Sequence, residues 1–257
     1  MQFARLGDTM IIYFSATGNC KYVAKRIADA MGDVALSIEN QEPTIYLKEG
    51  EDLGIITPTY WWELPPIMRE WLKKLTVNRT RYTYLVVTYG TTPGCCGEDA
   101  RRLLKKRNIT LSASFGVKMP DTWTPLFDLS NSAAVEKKLT DAESYIDEII
   151  GKIEASETGN YTKPRIPYAV RIFTAPLLNV ERQTKNLHVE DTCIGCGLCA
   201  QKCPVKAIEI KNQKPVWVKN ECTICLRCLH HCPKFAIQYG KGKTKQHGQY
   251  QHPNVQI

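Results

Sequence analysis

Short apolar runs and amphipathic stretches alternate along the first 155 residues. The apolar runs predict five buried strands, at residues 10–14, 33–38, 53–57, 83–88 and 112–118. Helices are predicted at residues 66–75, 98–107 and 132–154, and before them in a segment with a buried stripe of Val23, Ile27 and Met31. This alternation favours an α/β fold with a doubly wound, parallel, five-stranded sheet, which binds ligands beyond the carboxyl ends of its strands.

The rest of the chain changes character at two places. Residues 156–186 combine prolines with apolar side chains, so we expect an ordered linker that packs between two domains. The apolar side chains expected to be buried there are Ile166, Tyr168, Val170, Ile172, Phe173, Leu177 and Leu178. Residues 187–240 form a second domain, and residues 241–257 are predicted to be a polar C-terminal tail of low order. The first domain is then residues 1–155.

The composition is that of a globular protein, with 43% hydrophobic and 23% charged residues. No apolar run approaches the roughly 18 residues of a membrane span, and the first 14 residues lack the features of a secretory signal. We therefore expect a cytoplasmic protein, whose eleven cysteines are metal ligands or reactive thiols rather than disulfides.

Eight of the cysteines form two runs with the same spacing. The first run is Cys193, Cys196, Cys199 and Cys203, followed by a proline. The second run, 29 residues later, is Cys222, Cys225, Cys228 and Cys232, again followed by a proline. Structural zinc sites, the alternative, use cysteine pairs that a loop of roughly 12–20 residues separates. Three thiolates at successive gaps of two are better suited to the corners of an iron–sulfur cube.

This spacing resembles that of the two-cluster bacterial ferredoxins, over residues 187–240. The resemblance implies a small α+β domain with two 4Fe–4S clusters, in which the fourth cysteine of each run binds the cluster of the other run. One ligand set would be Cys193, Cys196, Cys199 and Cys232, and the other Cys222, Cys225, Cys228 and Cys203. With these eight assigned, we expect His230 and His231 to be exposed polar residues.

Positive charge is concentrated in the second part of the chain. Residues 1–155 carry 19 Lys and Arg against 20 Asp and Glu, whereas residues 156–257 carry 15 against 6. Two oxidised clusters of about −2 each would lower the net charge of the second part from +9 to about +5. Neither nucleic acid nor a membrane surface is therefore expected as a partner. The lysines either steer an acidic redox partner or are solvated without a partner.

The turn between the first strand and the first helix reads SATGNC, which is Ser15, Ala16, Thr17, Gly18, Asn19 and Cys20. Hydroxyl donors, a glycine and the first amides of a helix make an anion site, although an ordinary strand-to-helix turn is the alternative. Neither a P-loop lysine nor a GxGxxG fingerprint is present. The turn resembles the flavodoxin phosphate loop, which implies binding of the FMN phosphate. Cys20 stands where flavodoxins usually have Thr, so we expect weakened phosphate binding.

Two further loops at predicted strand ends carry aromatic residues and glycines. The loop after the third strand contains Pro58, Thr59, Tyr60, Trp61 and Trp62. The loop after the fourth strand contains Tyr89, Gly90, Thr91, Gly94, Cys95, Cys96 and Gly97. The flavodoxin resemblance implies that both loops approach the FMN ring, although one tryptophan could instead plug the sheet edge. Cys95 and Cys96 are either a redox dithiol or small side chains in a tight loop. Asp121 and Trp123 are weaker candidates.

As a whole, the chain is similar to flavodoxin–ferredoxin fusion proteins of anaerobic microbes. The resemblance implies an electron-transfer protein with FMN and two 4Fe–4S clusters, which exchanges electrons with a redox partner protein or a small acceptor. Two alternatives stay open: an FMN-dependent reductase of a small substrate fed by ferredoxin, and an iron–sulfur sensor or binding module without FMN. No catalytic acid, base or nucleophile is assigned, because no paired carboxylates or Ser/His/Asp set has a recognisable spacing.

Overall fold

A parallel sheet organises the first part of the chain in the computed structural model, which describes residues 9–162 and 167–257. The strands up to residue 160 are β1 (Thr9–Tyr13), β2 (Ala35–Ser37), β3 (Thr44–Ile45), β4 (Asp52–Pro58), β5 (Thr76–Val77), β6 (Thr83–Tyr89), β7 (Ala113–Lys118) and β8 (Gly159–Asn160). Their main sheet has the order β2-β1-β4-β6-β7-β8, while β3 and β5 pair separately. The first five strands of that sheet follow the order of flavodoxin-like doubly wound folds.

The sheet has six strands rather than the five predicted. The added strand, β8, comes from the predicted linker and pairs in parallel with β7, with Gly159 beside Ala113 and Asn160 beside Ser114. A two-residue strand without an apolar side chain leaves no hydrophobic pattern, so the sequence does not indicate it. The other five strands overlap the five predicted segments, and the predicted α/β architecture is confirmed.

Helices cover both faces of this sheet: α1 (Asn19–Met31), α2 (Pro66–Lys74), α3 (Cys96–Lys105) and α4 (Ser132–Glu154). On one face, Val23 and Ile27 of α1 and Ile146 of α4 are buried in a common apolar cluster. On the other face, Leu72 of α2 and Leu104 of α3 are buried in a second cluster. The two apolar layers therefore enclose the sheet and leave the carboxyl ends of its strands open at one edge.

The cysteine-rich part is small and α+β, as predicted. Its elements, and the helix that precedes them, are α5 (Arg171–Glu181), β9 (Leu187–Val189), α6 (Leu198–Gln201), β10 (Ile208–Lys211), β11 (Lys214–Trp217), α7 (Arg227–His230), β12 (Ile237–Tyr239) and α8 (Thr244–His247). β9 pairs antiparallel with β12, and β10 with β11. Each cysteine run thus lies between two strands. Within the two described ranges, no helix has both the length and the apolar character needed to cross a membrane.

The described part of the predicted linker contacts both halves of the chain. Leu178 of α5 packs in an apolar cluster with Leu187 and Ile224 of the cysteine-rich part. Arg171 of the same helix donates a hydrogen bond to Glu63 of the first part at 2.7 Å. Helix α5 therefore has an apolar contact with the cysteine-rich part and an ionic contact with the first part.

Several apolar side chains of α5 are exposed, although we expected them to be buried. Ile172, Phe173 and Leu177 are 73%, 75% and 48% exposed. Thr174 and Leu178 are the buried residues of this helix. The buried stripe of the helix is narrow, which leaves its other apolar residues outside. Residues 163–166, which include the expected linker residue Ile166, lie outside the described residues.

The C-terminal segment (residues 249–257) is packed against the first part, which corrects the expectation of a tail of low order. Tyr250 and His252 are buried, and the His252 N–H donates to the Thr17 carbonyl at 2.8 Å. The His252 ring also stacks on the Tyr22 ring of α1, with 4.2 Å between the centroids. A segment of polar composition is ordered here because its two aromatic side chains have a surface on which to pack.

Candidate functional site

The turn predicted to bind phosphate, here called the phosphate turn (residues 15–20), joins β1 to α1. Gly18 caps the helix with a φ of 110°, and its N–H donates to Ser15 Oγ at 3.2 Å. Asn19 Nδ2 donates to the Pro120 carbonyl at 3.2 Å and so ties the turn to the segment after β7. The first amides of the 13-residue helix α1 have no partner within the helix. This donor set suits a phosphate group.

Cys20 is buried beside β6. Its Sγ lies 3.0 Å from Thr88 Oγ1, and the two groups are hydrogen-bonded. Burial raises the pKa of the thiol to about 12, so the group is neutral at physiological pH. The weaker phosphate binding expected from this position stays a prediction.

A cavity, here called the strand-end cavity, opens beyond the carboxyl ends of β1, β4, β6 and β7. The predicted residues that line it are Ser15, Ala16, Thr17, Asn19, Cys20, Pro58, Thr59, Tyr60, Trp61, Trp62, Tyr89, Gly90 and Thr91. Asp121 and Trp123, the weaker candidates, line it as well. The three predicted loops thus meet around one space, at the place where doubly wound sheets bind ligands.

Two groups of lining residues come from segments outside the predicted loops. Leu126 and Phe127 follow β7, and Ile224, Cys225 and Leu226 belong to the second cysteine run. The two apolar residues at 126 and 127, close behind a predicted strand end, are a weak signal for the first group. The second group reaches the cavity only because the cysteine-rich part docks there, and nothing in the local sequence indicates it.

Aromatic rings form one wall of the strand-end cavity. Trp61 and Trp62 lie in a tight turn, with positive φ angles of 47° and 64°. Their rings meet edge to face at 6.3 Å, and Trp61 meets Trp123 at 6.5 Å. Bulky residues rarely adopt positive φ, and binding sites are where such strain is concentrated. The arrangement is suited to contact with a planar ring system.

Four predicted residues lie behind this wall rather than in it: Gly94, Cys95, Cys96 and Gly97. A Cβ added at Gly94 would lie 2.3 Å from the Trp62 Cβ, and the Cys95 N–H donates to the Trp62 carbonyl at 2.8 Å. Burial raises the pKa of Cys95 to about 11 and that of Cys96 well above its usual range. The structure therefore places two buried, neutral thiols here, and Cys95 is hydrogen-bonded to the tryptophan turn.

Opposite that turn, Gly90 lies against the side chain of Asp121. A Cβ added at Gly90 would lie 2.2 Å from the Asp121 Cβ. The Asp121 carboxylate accepts a hydrogen bond from the Trp123 N–H at 3.0 Å, and burial raises its pKa above the usual value. The Asp121 side chain can lie this close to the backbone of residue 90 only because that residue is glycine.

The cysteines of the two runs gather around two small cavities. The first cysteine cavity is lined by Cys193, Cys196, Cys199 and Cys232. The second cysteine cavity is lined by Cys203, Cys222, Cys225 and Cys228. Each cavity combines three thiols of one run with the fourth thiol of the other, which is the grouping that the ferredoxin resemblance implies. All eleven cysteines of the chain are free thiols.

Backbone amides point at equivalent sulfurs of the two runs. The Ala207 N–H donates to Cys203 Sγ at 3.2 Å, and the Ala236 N–H donates to Cys232 Sγ at 3.3 Å. Amide hydrogen bonds stabilise negative charge on a thiolate and tune the reduction potential of an iron–sulfur cluster. The surroundings of the thiols therefore fit the ligand role.

The strand-end cavity and the second cysteine cavity share a wall. Ile224, Cys225 and Leu226 line both of them. The next residue, Arg227, is buried and donates from Nη2 to the Ser15 carbonyl of the phosphate turn at 2.6 Å. Its guanidinium also donates to both carboxylate oxygens of Glu39, at 2.6 and 2.7 Å. A single segment therefore separates the two spaces, and a buried ion pair holds it in place.

His230 and His231 are buried, not exposed as we expected. Nδ1 of His230 accepts a hydrogen bond from the Tyr250 N–H at 3.1 Å. Its proton is therefore on Nε2, which donates to the Thr122 carbonyl at 2.9 Å. His230 connects the second cysteine run to the segment after β7 and to the C-terminal segment.

Comparison with known proteins finds a match for each part of the chain. A family model described as a flavodoxin domain matches residues 10–143, and one described as a 4Fe-4S dicluster domain matches residues 185–233. The pyruvate synthase subunit PorD of Methanothermobacter marburgensis is 58% identical over 24 residues, which are 9% of this chain and 30% of that subunit. The chain thus matches less than a third of that relative's length.

Solved structures similar to this chain include two flavodoxins. One, from the domain Archaea, is 16% identical with a TM-score of 0.37, over 57% of this chain and 98% of that chain. The other, from Streptococcus pneumoniae, is 19% identical with a TM-score of 0.37, over 56% of this chain and 98% of that chain.

Proposed function

Because the chain belongs to the flavodoxin domain family and also carries a 4Fe-4S dicluster domain, we propose that it moves electrons between a redox partner and FMN along a fixed path. The two domains imply FMN and 4Fe–4S clusters as cofactors, and they make the chain an electron-transfer flavoprotein. When bound, the clusters supply single-electron transfer and FMN supplies one- or two-electron chemistry. The alternatives of a dedicated reductase and of a sensor without FMN are not favoured.

The eight cysteines of the two runs hold the clusters in this proposal. Cys193, Cys196, Cys199 and Cys232 bind the first cluster, and Cys203, Cys222, Cys225 and Cys228 bind the second. Their grouping around two separate cavities supports the crossed assignment. It also disfavours zinc, since each set draws its fourth thiol from a distant run instead of from a second nearby pair.

The phosphate turn and the strand-end cavity hold FMN in this proposal. The amides and hydroxyls of residues 15–20 bind the phosphate, while Tyr60, Trp61 and Trp62 contact the ring system. The backbone at Gly90 approaches the ring on the other side. The meeting of all these residues at the carboxyl edge of the sheet supports this placement.

The observation that carries the proposal is the wall shared by the strand-end cavity and the second cysteine cavity. Cys225 is a ligand in the second set and also lines the strand-end cavity. A fixed contact of this kind converts a bimolecular encounter into an internal transfer. The order of the path is then the partner, the first set, the second set and FMN.

The outer end of that path is the face of the first cysteine cavity. Cys196 is exposed, and Ile194 beside it is 58% exposed. Three exposed lysines, Lys211, Lys214 and Lys234, lie at or next to residues that line this cavity. Positive charge around an apolar contact favours an acidic redox partner protein. A cytoplasmic location completes the proposal, because eleven cysteines without a disulfide suit a reducing compartment.

The test compares the anoxically purified wild type with its Cys222→Ala variant in cofactor content and in the rate of FMN reduction. The wild type should contain about eight iron and eight sulfide per chain, show flavin absorption bands, and have its FMN reduced when reduced ferredoxin is added. Cys222→Ala removes a ligand of the second set that does not line the strand-end cavity, so it should retain FMN yet lose most of the rate of FMN reduction. Equal rates in the two proteins would show that electrons reach FMN by another route.

A further inference from the structure

The C-terminal segment makes three contacts with the phosphate turn. The His252 N–H donates to the Thr17 carbonyl at 2.8 Å. The Tyr250 hydroxyl donates to Asn19 Oδ1 at 2.6 Å. A Cβ added at Gly18 would lie 2.5 Å from the His252 Cβ, so the two backbones are packed directly on each other. Three successive residues of the turn are therefore held from one side.

This contact lies on the outer side of the turn. Neither Tyr250 nor His252 lines the strand-end cavity, whereas Thr17 and Asn19 do. Gly18 has a φ of 110°, a conformation that only glycine adopts without strain. The turn is thus a thin layer with the cavity on one side and the C-terminal segment on the other.

The other end of the C-terminal segment is attached to the second cysteine run. Gln249 Nε2 donates to the carbonyls of Leu229 and Cys232, at 2.7 and 2.8 Å. The Tyr250 N–H donates to His230 Nδ1 at 3.1 Å. Residues 249–252 therefore bridge the run that carries the cluster thiols and the turn predicted to bind phosphate.

We propose that residues 249–252 position the phosphate turn, so that FMN affinity depends on Tyr250 and His252 although neither touches the flavin. A turn that binds phosphate through its amides must hold several N–H groups in one arrangement before the ligand arrives. Groups that fix this arrangement in advance lower the entropic cost of binding. This inference rests on the proposed FMN site and adds to it the residues that maintain its shape.

The test compares FMN with riboflavin, which has the same ring system but no phosphate. The full-length protein with its clusters is freed of flavin, and dissociation constants are measured from flavin fluorescence for the wild type, Tyr250→Phe and His252→Ala. The alanine variant keeps the N–H of residue 252 but loses the ring stacked on Tyr22, which anchors residue 252 to α1. Loss of the Tyr250 hydroxyl leaves the buried Asn19 oxygen without its donor, so we expect FMN to bind about tenfold more weakly. Riboflavin affinity should stay within about twofold of the wild type, because riboflavin makes no use of the phosphate turn.

The matched control is Tyr82→Phe. Tyr82 is also buried, and its hydroxyl donates to the Glu157 carbonyl at 2.6 Å. It directly precedes β6 and so lies at the amino ends of the strands, away from the strand-end cavity. Loss of the Tyr82 hydroxyl should change the dissociation constant of neither FMN nor riboflavin. This control distinguishes an effect on the phosphate turn from the general effect of losing a buried hydrogen bond. An unchanged preference for FMN over riboflavin in both Tyr250→Phe and His252→Ala overturns the inference alone. A wild type with no preference for FMN over riboflavin overturns the proposed phosphate site as well.

Discussion

Glu39→Gln probes the ion pair that joins the two parts of the chain. The side chains of Arg227 and Glu39 are 5% and 20% exposed, and the guanidinium donates to both carboxylate oxygens. Glutamine keeps one acceptor but removes the negative charge. Arg227 then stays buried with only neutral acceptors to stabilise its positive charge, namely the remaining side-chain oxygen at position 39 and the carbonyls of Ser15 and Lys202.

The expected loss follows from the burial of this pair. Hydrogen bonds to charged groups contribute roughly 1.5–3 kcal/mol each, and breaking a buried pair costs about 3–5 kcal/mol. The residual exposure of Glu39 allows solvent to screen part of this interaction, and glutamine restores one neutral hydrogen bond. We therefore expect the contact between the two parts to lose about 2 kcal/mol.

Anoxic urea titration of the cofactor-loaded protein measures this loss, followed by flavin fluorescence and by cluster absorbance. A change of about 2 kcal/mol moves the midpoint for flavin release by about 1 M urea. Glu42→Gln, which removes the same charge from an exposed position three residues away, should move it far less. The effect should persist at high salt, because a buried pair is weakly screened. If Glu39→Gln and Glu42→Gln titrate alike, the pair does not hold the two parts together.

Three further variants test the sites. Gly90→Ala brings a Cβ to 2.2 Å from the Asp121 Cβ and should weaken FMN binding by about tenfold. Gly151→Ala, which has open space around it, should leave FMN binding unchanged. Equal dissociation constants for the two variants would show that FMN binding does not need a glycine at residue 90. Cys20→Thr should bind FMN about threefold more tightly than Cys20→Val, since threonine has a hydroxyl where valine has a methyl group. Equal FMN affinities of the two variants in a fluorescence titration would contradict a phosphate contact at this position. Cys203→Ala should lower the iron content from about eight to about four and leave intact the cluster held by Cys193, Cys196, Cys199 and Cys232. If each run instead bound a cluster with its own four cysteines, the electron paramagnetic resonance spectrum of the variant would lack the signal of the first run's cluster.

The parts of the molecule that the sequence predicts are those with a local physical cause. A buried strand needs an apolar run, so five of the six strands of the main sheet overlap predicted segments. A strand that enters a helix through small and hydroxyl residues leaves free amides at that point, which is why residues 15–20 could be singled out. The spacing of the cysteine runs reflects ligand geometry on a short loop.

The parts that it does not predict depend on surfaces that meet across the chain. Arg227 reaches the Ser15 carbonyl over 212 residues of sequence, and no periodicity marks either position. The burial of His230 likewise follows from docking against the segment after β7 and residue 250. Ile172 and Phe173 show the converse, since apolar side chains without a facing surface stay exposed.

The long separation between the phosphate turn and its support orders events during synthesis. Asn19 and Tyr250 are 231 residues apart, and a ribosome that adds about 5–20 residues per second needs roughly 10–50 s to cover that length. The nascent chain has every strand of its parallel sheet well before residue 250 emerges. If residues 249–252 position the phosphate turn as proposed, the flavin is bound at full affinity only after the iron-binding half has been made, and we expect a chain cleaved ahead of residue 250 to bind FMN more weakly.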